Sequence, residues 1–280
     1  MKERELIDII ARKVMAALYG EQEPRKDAPL TDISSAAYKA NIKLDQVENP
    51  LALDAMRTKT PARIGIGKAG PRLGTKTLLA LRADHASAKD AVLKSVDENI
   101  LKELELFSVQ SLCGDIDEHL TRPDLGRRLS EETKLRLQEH CVYGPRVQIY
   151  VSDGLSSLAV DENISDLLPV MIDGLEAKGI KTGTPFFVKY GRVPTMDVIS
   201  EILNAEVTCV LLGERPGLAA AGSMSAYIAY RAAVGMPESR RTVISNIHTK
   251  GIQPVEAGAY AVDVIIKILE AKASGVDFKL

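Results

Sequence analysis

The chain has no tryptophan, and aromatic residues make up only 4% of its 280 positions. Base-stacking platforms and aromatic cages around cations both need more rings than that. There are three cysteines, Cys113, Cys141 and Cys209, and four histidines, with no C-x-x-C and no pair at metal-ligand spacing. That usage suits a reducing compartment and argues against a disulfide framework. Charge of one sign is lacking too: 36 basic against 38 acidic residues leave a net charge of −2. No basic footprint for nucleic acid and no polybasic segment for anionic lipid follow from such a balance. Long hydrophobic runs are missing, the longest lightly charged stretch being GLAAAGSMSAYIAY (217–230), too short to span a bilayer. The N-terminus opens on charges rather than on an apolar signal core. The expectation is a soluble, cytoplasmic protein.

The chain does have material for a core, with 45% hydrophobic residues. Residues 1–20 place Leu6, Ile9, Ile10, Val14, Ala17 and Leu18 at spacings of three and four, ending at Gly20, an amphipathic helix. The polar segment 21–45, with Pro24 and Pro29, reads as a linker. Such a helix either docks on a partner or folds back on its own domain. Residues 46–140 read as mainly helical, through patterns at 75–106 and 130–140, where Ser130 is placed as an N-cap.

From 141 to 280 the texture changes. RVQIYVSDG (146–154), TPFFVKYGRV (184–193), EVTCVLLGERPG (206–217) and RTVISNI (241–247) are apolar or β-branched runs ending in turns. Helical patterns lie between them at 163–178, 195–204 and roughly 217–235, and a last one at 254–273. This alternation predicts an α/β domain with a mostly parallel, Rossmann-like sheet covered by helices on both faces.

Gly65-Ile66-Gly67-Lys68-Ala69-Gly70 is formally G-x-G-x-x-G. A dinucleotide fingerprint needs a strand feeding a tight turn that opens a helix. Pro61 and the charges before Gly65 leave little room for that strand, and Asp84 falls in a helical pattern. A glycine-rich surface turn carrying Arg63, Lys68 and Arg72 is the better account.

Ligands of parallel sheets bind beyond the carboxyl ends of the strands. Those ends here read Ser152-Asp153-Gly154, Tyr190-Gly191-Arg192-Val193, Gly213-Glu214-Arg215-Pro216-Gly217 and Ser245-Asn246. Arg192 and Arg215 can meet a phosphate, while Asp153 and Glu214 can accept hydrogen bonds. No P-loop, nucleophile–histidine pair or carboxylate cluster accompanies them. The reading is a binding edge without its own chemistry.

At these residues the sequence resembles the small (light) subunit family of ethanolamine ammonia-lyase. NPLALDAMRTKTPARIGIGKAGPR, LRADHASAKDAV, YVSDGLSS, GTPFFVKYGRV, LLGERPGL, SMSAY, SNIH and KASGVD carry the resemblance in order along the chain. It implies an adenosylcobalamin-dependent lyase converting ethanolamine to acetaldehyde and ammonia. The reacting groups would lie on a large TIM-barrel subunit, with this chain closing over the cofactor. By motif, the cobalamin-contacting positions fall on Val193, Glu214 and Val243, the last standing where the family commonly has cysteine. Arg192 and Arg215 are added from the strand-end argument. The resemblance assigns no catalytic residue and no metal ligand to this chain. Asp117-Glu118-His119-Leu120-Thr121-Arg122 lacks the glycine of the D-x-H-x-x-G pattern, which favours base-on cobalamin without a protein ligand to cobalt. The tethered helix 1–20 resembles peptides that direct enzymes into bacterial microcompartments, implying contact with a shell and residence in the lumen. Other readings are a nucleotide-dependent oxidoreductase using 63–70 and a shell-cargo adaptor built around residues 1–20.

Overall fold

The computed structural model describes Ile7, Lys13, Val14 and residues 31–42, 44 and 46–279. Apart from Ile7, Lys13 and Val14, which are helical, the amphipathic helix expected at 1–20 and the first part of the linker lie outside the described residues. Within the linker's span, Ala36–Ala40 forms a short helix, α1, capped by Ser35. It is tied down by Lys39, which pairs with Asp84 at 2.5 Å, and by Arg57, whose guanidinium donates to the Lys39 carbonyl.

Pro50–Arg57 is α2, started by an Asn49 cap and a proline in its first turn. The glycine-rich stretch 65–70 does not run from a strand into a helix, as a dinucleotide fingerprint requires. Lys68–Ala69 (β1) and Arg72–Leu73 (β2) pair antiparallel as a small hairpin, with Gly65 and Gly70 at positive φ. Asp84 sits buried in α3 (Thr75–Leu93), where it accepts from Arg63 and Lys39. Next come α4 (Glu98–Glu103), strand β3 (Phe107–Gln110), α5 (Ile116–Thr121) and α6 (Glu131–His140). Ser130 caps α6 by accepting from the Thr133 N–H, with Glu131 and Glu132 in its positive first turn.

The remainder supplies β4 (Val147–Ser152), α7 (Ser157–Ala177), β5 (Phe186–Lys189), α8 (Thr195–Leu203) and β6 (Val207–Gly213). It ends with β7 (Met224–Tyr230), β8 (Thr242–Ile247) and α9 (Pro254–Ala271). Among the described residues the main sheet has six strands in the order β3-β5-β4-β6-β7-β8. The pairings β3–β5, β5–β4 and β4–β6 are parallel; β6–β7 and β7–β8 are antiparallel.

Side chains alternate across this sheet, as strand geometry requires. Val147, Ile149, Val151, Cys209, Leu211 and Ile228 face α7 and α9 in one buried cluster. Tyr150, Phe186, Val188, Val210 and Leu212 face α6 and α8 in another. β4 and β6 are buried along their whole lengths, which is why they read as unbroken apolar runs.

Two elements correct the sequence reading. Residues 217–235, read as helix, contain strand β7. Ala, Met and Ser in MSAYIAY suggested a helix, but Gly217, Gly222 and Gly235 punctuate the stretch, and its alternation matches β6 residue for residue from Val207↔Tyr230 to Gly213↔Met224. Strand β3 also arises inside the segment read as mainly helical; at four residues it is too short to show a period.

Candidate functional site

The carboxyl end of β4 is built on burial. Asp153 is only 6% exposed, and both carboxylate oxygens accept the Tyr190 N–H, at 2.7 and 2.9 Å. Desolvation pushes its pKa up to about 7 against the pull of those hydrogen bonds. Gly154 follows at φ +54°, and a Cβ there would meet the Gly213 carbonyl at 2.2 Å. Only glycine lets β4 and β6 end so close together. The Asp153 contact also holds Tyr190 at φ +58°, which turns the chain out of β5 toward Arg192 and Val193.

Arg192 is anchored inward. Its N–H donates to the Gly126 carbonyl at 2.8 Å, and its guanidinium Nη2 donates to the His119 carbonyl. Nε is buried without a partner among the described residues. Burial lowers its pKa first, and the neighbouring Arg127 and Arg215 charges push the same way. Val193 begins the turn into α8 and packs half-buried against the second cluster.

Glu214 follows β6. Its N–H donates to the Ser223 carbonyl at 2.9 Å, and its Oε1 accepts from the Tyr227 hydroxyl at 2.6 Å. Burial, then the nearby Glu214 carboxylate, raises the Tyr227 pKa. Tyr227 lies opposite Val243 in the β7–β8 ladder, so Glu214, Tyr227 and Val243 come together on one face. Val243 is 44% exposed there, and Arg215 is exposed beside Glu214. The 214–223 loop is fastened to α7: Ser156 Oγ donates to the Ala221 carbonyl, and Asn163 Nδ2 donates to that of Gly222.

A buried ion pair joins this face to the body. The Arg241 guanidinium donates to both oxygens of Asp197 at 2.8 and 2.9 Å, with side chains 1% and 4% exposed. Arg241 stands two positions before Val243, and Asp197 four after Val193. Glu238 adds a second carboxylate to Arg241. Sequence reasoning missed Tyr227, Asp197 and Arg241. Tyr227 was visible only as the aromatic of SMSAY, and the ion pair had no sequence signal, its partners being far apart in the chain.

Among the described residues no three His, Cys, Asp or Glu side chains converge as a metal site. The three thiols are buried, and desolvation raises all of their pKa values, Cys141 to about 11 and Cys209 to about 12. His119 is 1% exposed; its Nε2 donates to the Gly154 carbonyl and its ring stacks on Tyr190 with centroids 5.3 Å apart. Burial lowers its pKa. The arrangement offers surface, hydrogen bonds and charge to a ligand.

Residues 51–279 match the family model described as ethanolamine ammonia-lyase light chain (EutC). The chain belongs to this family. The ethanolamine ammonia-lyase small subunit of Clostridium tetani is 56% identical over 255 residues, covering 91% of this chain and 86% of that protein. The subunit of Fusobacterium nucleatum is 54% identical over the same length, with the same coverage of each chain. That of Listeria monocytogenes serovar 1/2a is 47% identical over 253 residues, 90% of this chain and 86% of the relative. The family makes the chain a component of a lyase complex, and a small subunit implies a large one. Among the described residues no helix is long and apolar enough to cross a membrane.

Proposed function

We propose that this chain is the small subunit of an adenosylcobalamin-dependent ethanolamine ammonia-lyase, and that it holds the cofactor against a TIM-barrel large subunit. The observation that carries this reading is the grouping of Glu214, Tyr227 and Val243 on a part of the sheet where Val243 and Ser245 stay exposed. These residues fit a large planar macrocycle. Val193, Val243 and the Tyr227 ring offer apolar surface, while Glu214 and Arg215 at the rim suit its amide and phosphate groups. Arg192, spent inward on His119, fixes the backbone that presents Val193.

When bound, the cofactor supplies radical chemistry through homolysis of its cobalt–carbon bond. This chain's residues bind, orient and exclude water. The Glu214 carboxylate accepts from an amide or hydroxyl while Tyr227 holds it in place, and the two valines cover the ring without hydrogen bonding. Val243 preserves a van der Waals contact where the family commonly has cysteine. His119 is buried, with Nε2 spent on the Gly154 carbonyl and its unpartnered Nδ1 enclosed away from the surface, which supports base-on binding. The substrate's reacting groups belong to the large subunit.

In this reading residues 141–280 form the cofactor-binding α/β unit, with β3 contributed by the preceding segment. Residues 1–20 act as an encapsulation peptide that contacts a microcompartment shell and places the enzyme in the lumen. The deciding experiment is to co-produce the chain with a candidate large subunit, add adenosylcobalamin and ethanolamine, and assay acetaldehyde. Activity is expected in the complex and in neither subunit alone. Turnover by the homogeneous chain by itself, or none by the assembled complex, refutes the proposal.

A further inference from the structure

A cavity of about 440 Å³ opens beyond the carboxyl ends of β3, β5 and β4. Its lining includes none of Arg192, Val193, Glu214, Arg215 or Val243. At its floor is the first turn of α7, a 21-residue helix with Ser156 as N-cap. The Ser156 hydroxyl accepts the Ala159 N–H. The N–H groups of Ser157 and Leu158 have no acceptor among the described residues. They end the helix at its positive pole, where anions bind.

A second observation points the same way. Ser157 lines the cavity and is 4% exposed, yet its hydroxyl has no hydrogen-bond partner among the described residues. A buried hydroxyl is normally satisfied. Ser157 is part of the cavity lining, so its unused capacity is available to a ligand there. Across from it, Lys189 at the end of β5 holds its ammonium 4.9 Å above the Tyr190 ring centroid, with no carboxylate partner among the described residues. Lys94 on the rim is paired with Asp161. The rest of the lining is mixed: Val96, Leu101 and Phe187 are apolar, Arg136 adds a second cation, and Glu98, Glu132 and Asp153 are acidic.

We propose that this cavity is a ligand site separate from the cofactor face, and that it takes a small molecule with an oxyanion head, phosphate or carboxylate. The head sits on the Ser157 N–H and hydroxyl, with Lys189 as counter-charge; the body lies against Val96, Leu101 and Phe187. Its volume falls within the range of small-molecule sites. The site does not depend on the cobalamin reading.

The test is calorimetric titration of the full chain, and of its complex with the large subunit, with inorganic phosphate and separately with acetate. Sodium chloride of equal ionic strength serves as control. Saturable binding of at least one oxyanion is expected, and the stronger of the two identifies the head. Ser157→Ala and Lys189→Gln should each weaken it tenfold or more. Ser157→Asp, which puts a carboxylate on the helix end, should abolish oxyanion binding while raising the melting temperature. Three results overturn the site: no saturable binding to chain or complex, variants that bind as the parent does, or competition between phosphate and adenosylcobalamin. The last would assign the cavity to the cofactor.

Discussion

On the side where α7 and α9 lie, the sheet is covered from β4 to β8, and Ile164, Leu167, Ile265 and Ile268 are completely buried against it. On the other side α6 and α8 cover β5, β4 and β6, but the β7–β8 ribbon keeps Val243 and Ser245 exposed. The difference follows from strand direction. A parallel neighbour needs a crossover, which brings a helix onto the sheet; an antiparallel neighbour needs only a turn. Because β7 runs back along β6, no crossover helix is delivered over the ribbon. That vacancy places apolar strand residues at the surface beside Glu214, and it is the reason a binding face can exist there.

The comparison can be broken most forcefully at its joint. Arg241→Met leaves the Asp197 carboxylate buried and unpaired. Breaking such a pair costs about 3–5 kcal/mol, read as a drop in the urea midpoint at unchanged slope. An unaltered midpoint would show that the ribbon is held by other means.

Next comes a matched pair of truncations, one on each side. Ile164→Ala in the covered cluster should destabilise by about 2–5 kcal/mol. Val243→Ala on the open ribbon should change folding by less than about 0.5 kcal/mol while weakening cobalamin retention by the complex. Equal folding losses would mean that Val243 is core.

Glu214→Ala and Tyr227→Phe sharpen the binding side. Loss of a charge-assisted hydrogen bond is worth about 1.5–3 kcal/mol, or one to two decades in affinity. Both variants should show it in cobalamin titrations of the assembled complex, with little change in melting temperature. Unchanged affinity removes both residues from the site.

A smaller effect concerns Asp153, whose folded pKa of about 7 lies above its ordinary value of 3.8. Between those values the folded chain keeps a proton that the unfolded chain releases. Stability from this group is therefore full below about pH 4 and lost as pH rises toward 7. The low folded pKa of His119 acts oppositely below its ordinary 6.5, so the parent's own profile is a composite. Asp153→Asn retains an acceptor for the Tyr190 N–H and should remove the downward contribution, making stability rise more steeply with pH in that window. An identical profile in parent and variant would show that Asp153 titrates as an ordinary carboxyl.

Deleting residues 1–20 should have the least effect on chemistry. Lyase activity of the reconstituted complex stays essentially intact, while the enzyme disperses from its compartment in cells. Failure to assemble, or unchanged localisation, would assign the apolar stripe to the fold instead.

How far the sequence could be read depended on the same directional rule. β4, β5, β6 and β8 were legible because apolar or β-branched runs ended at glycines or polar turns. β7 was not, since Ala226, Ala229 and Met224 favour helix locally and only pairing with β6 overrides them. Glu214 could be placed from a strand end, and Val193 only from the family resemblance. Their supports could not, because Tyr227 and the Asp197–Arg241 pair are brought to the site by sheet register and helix docking.

The place of β3 has a consequence for synthesis on the ribosome. It occupies one edge of the sheet, yet its partner is β5, with Phe107 opposite Phe186. An emerging chain thus exposes β3 long before that partner exists, and nearly eighty further residues must be made before the strand can dock. Closing so long a loop is slow relative to local helix formation. The central strands, which template β3 among the described residues, must form first, and the edge is set last by the earliest strand of this sheet. Until then its unpaired backbone is open to association with other chains, and the α4–β3–α5 stretch is where a chaperone would be of most use.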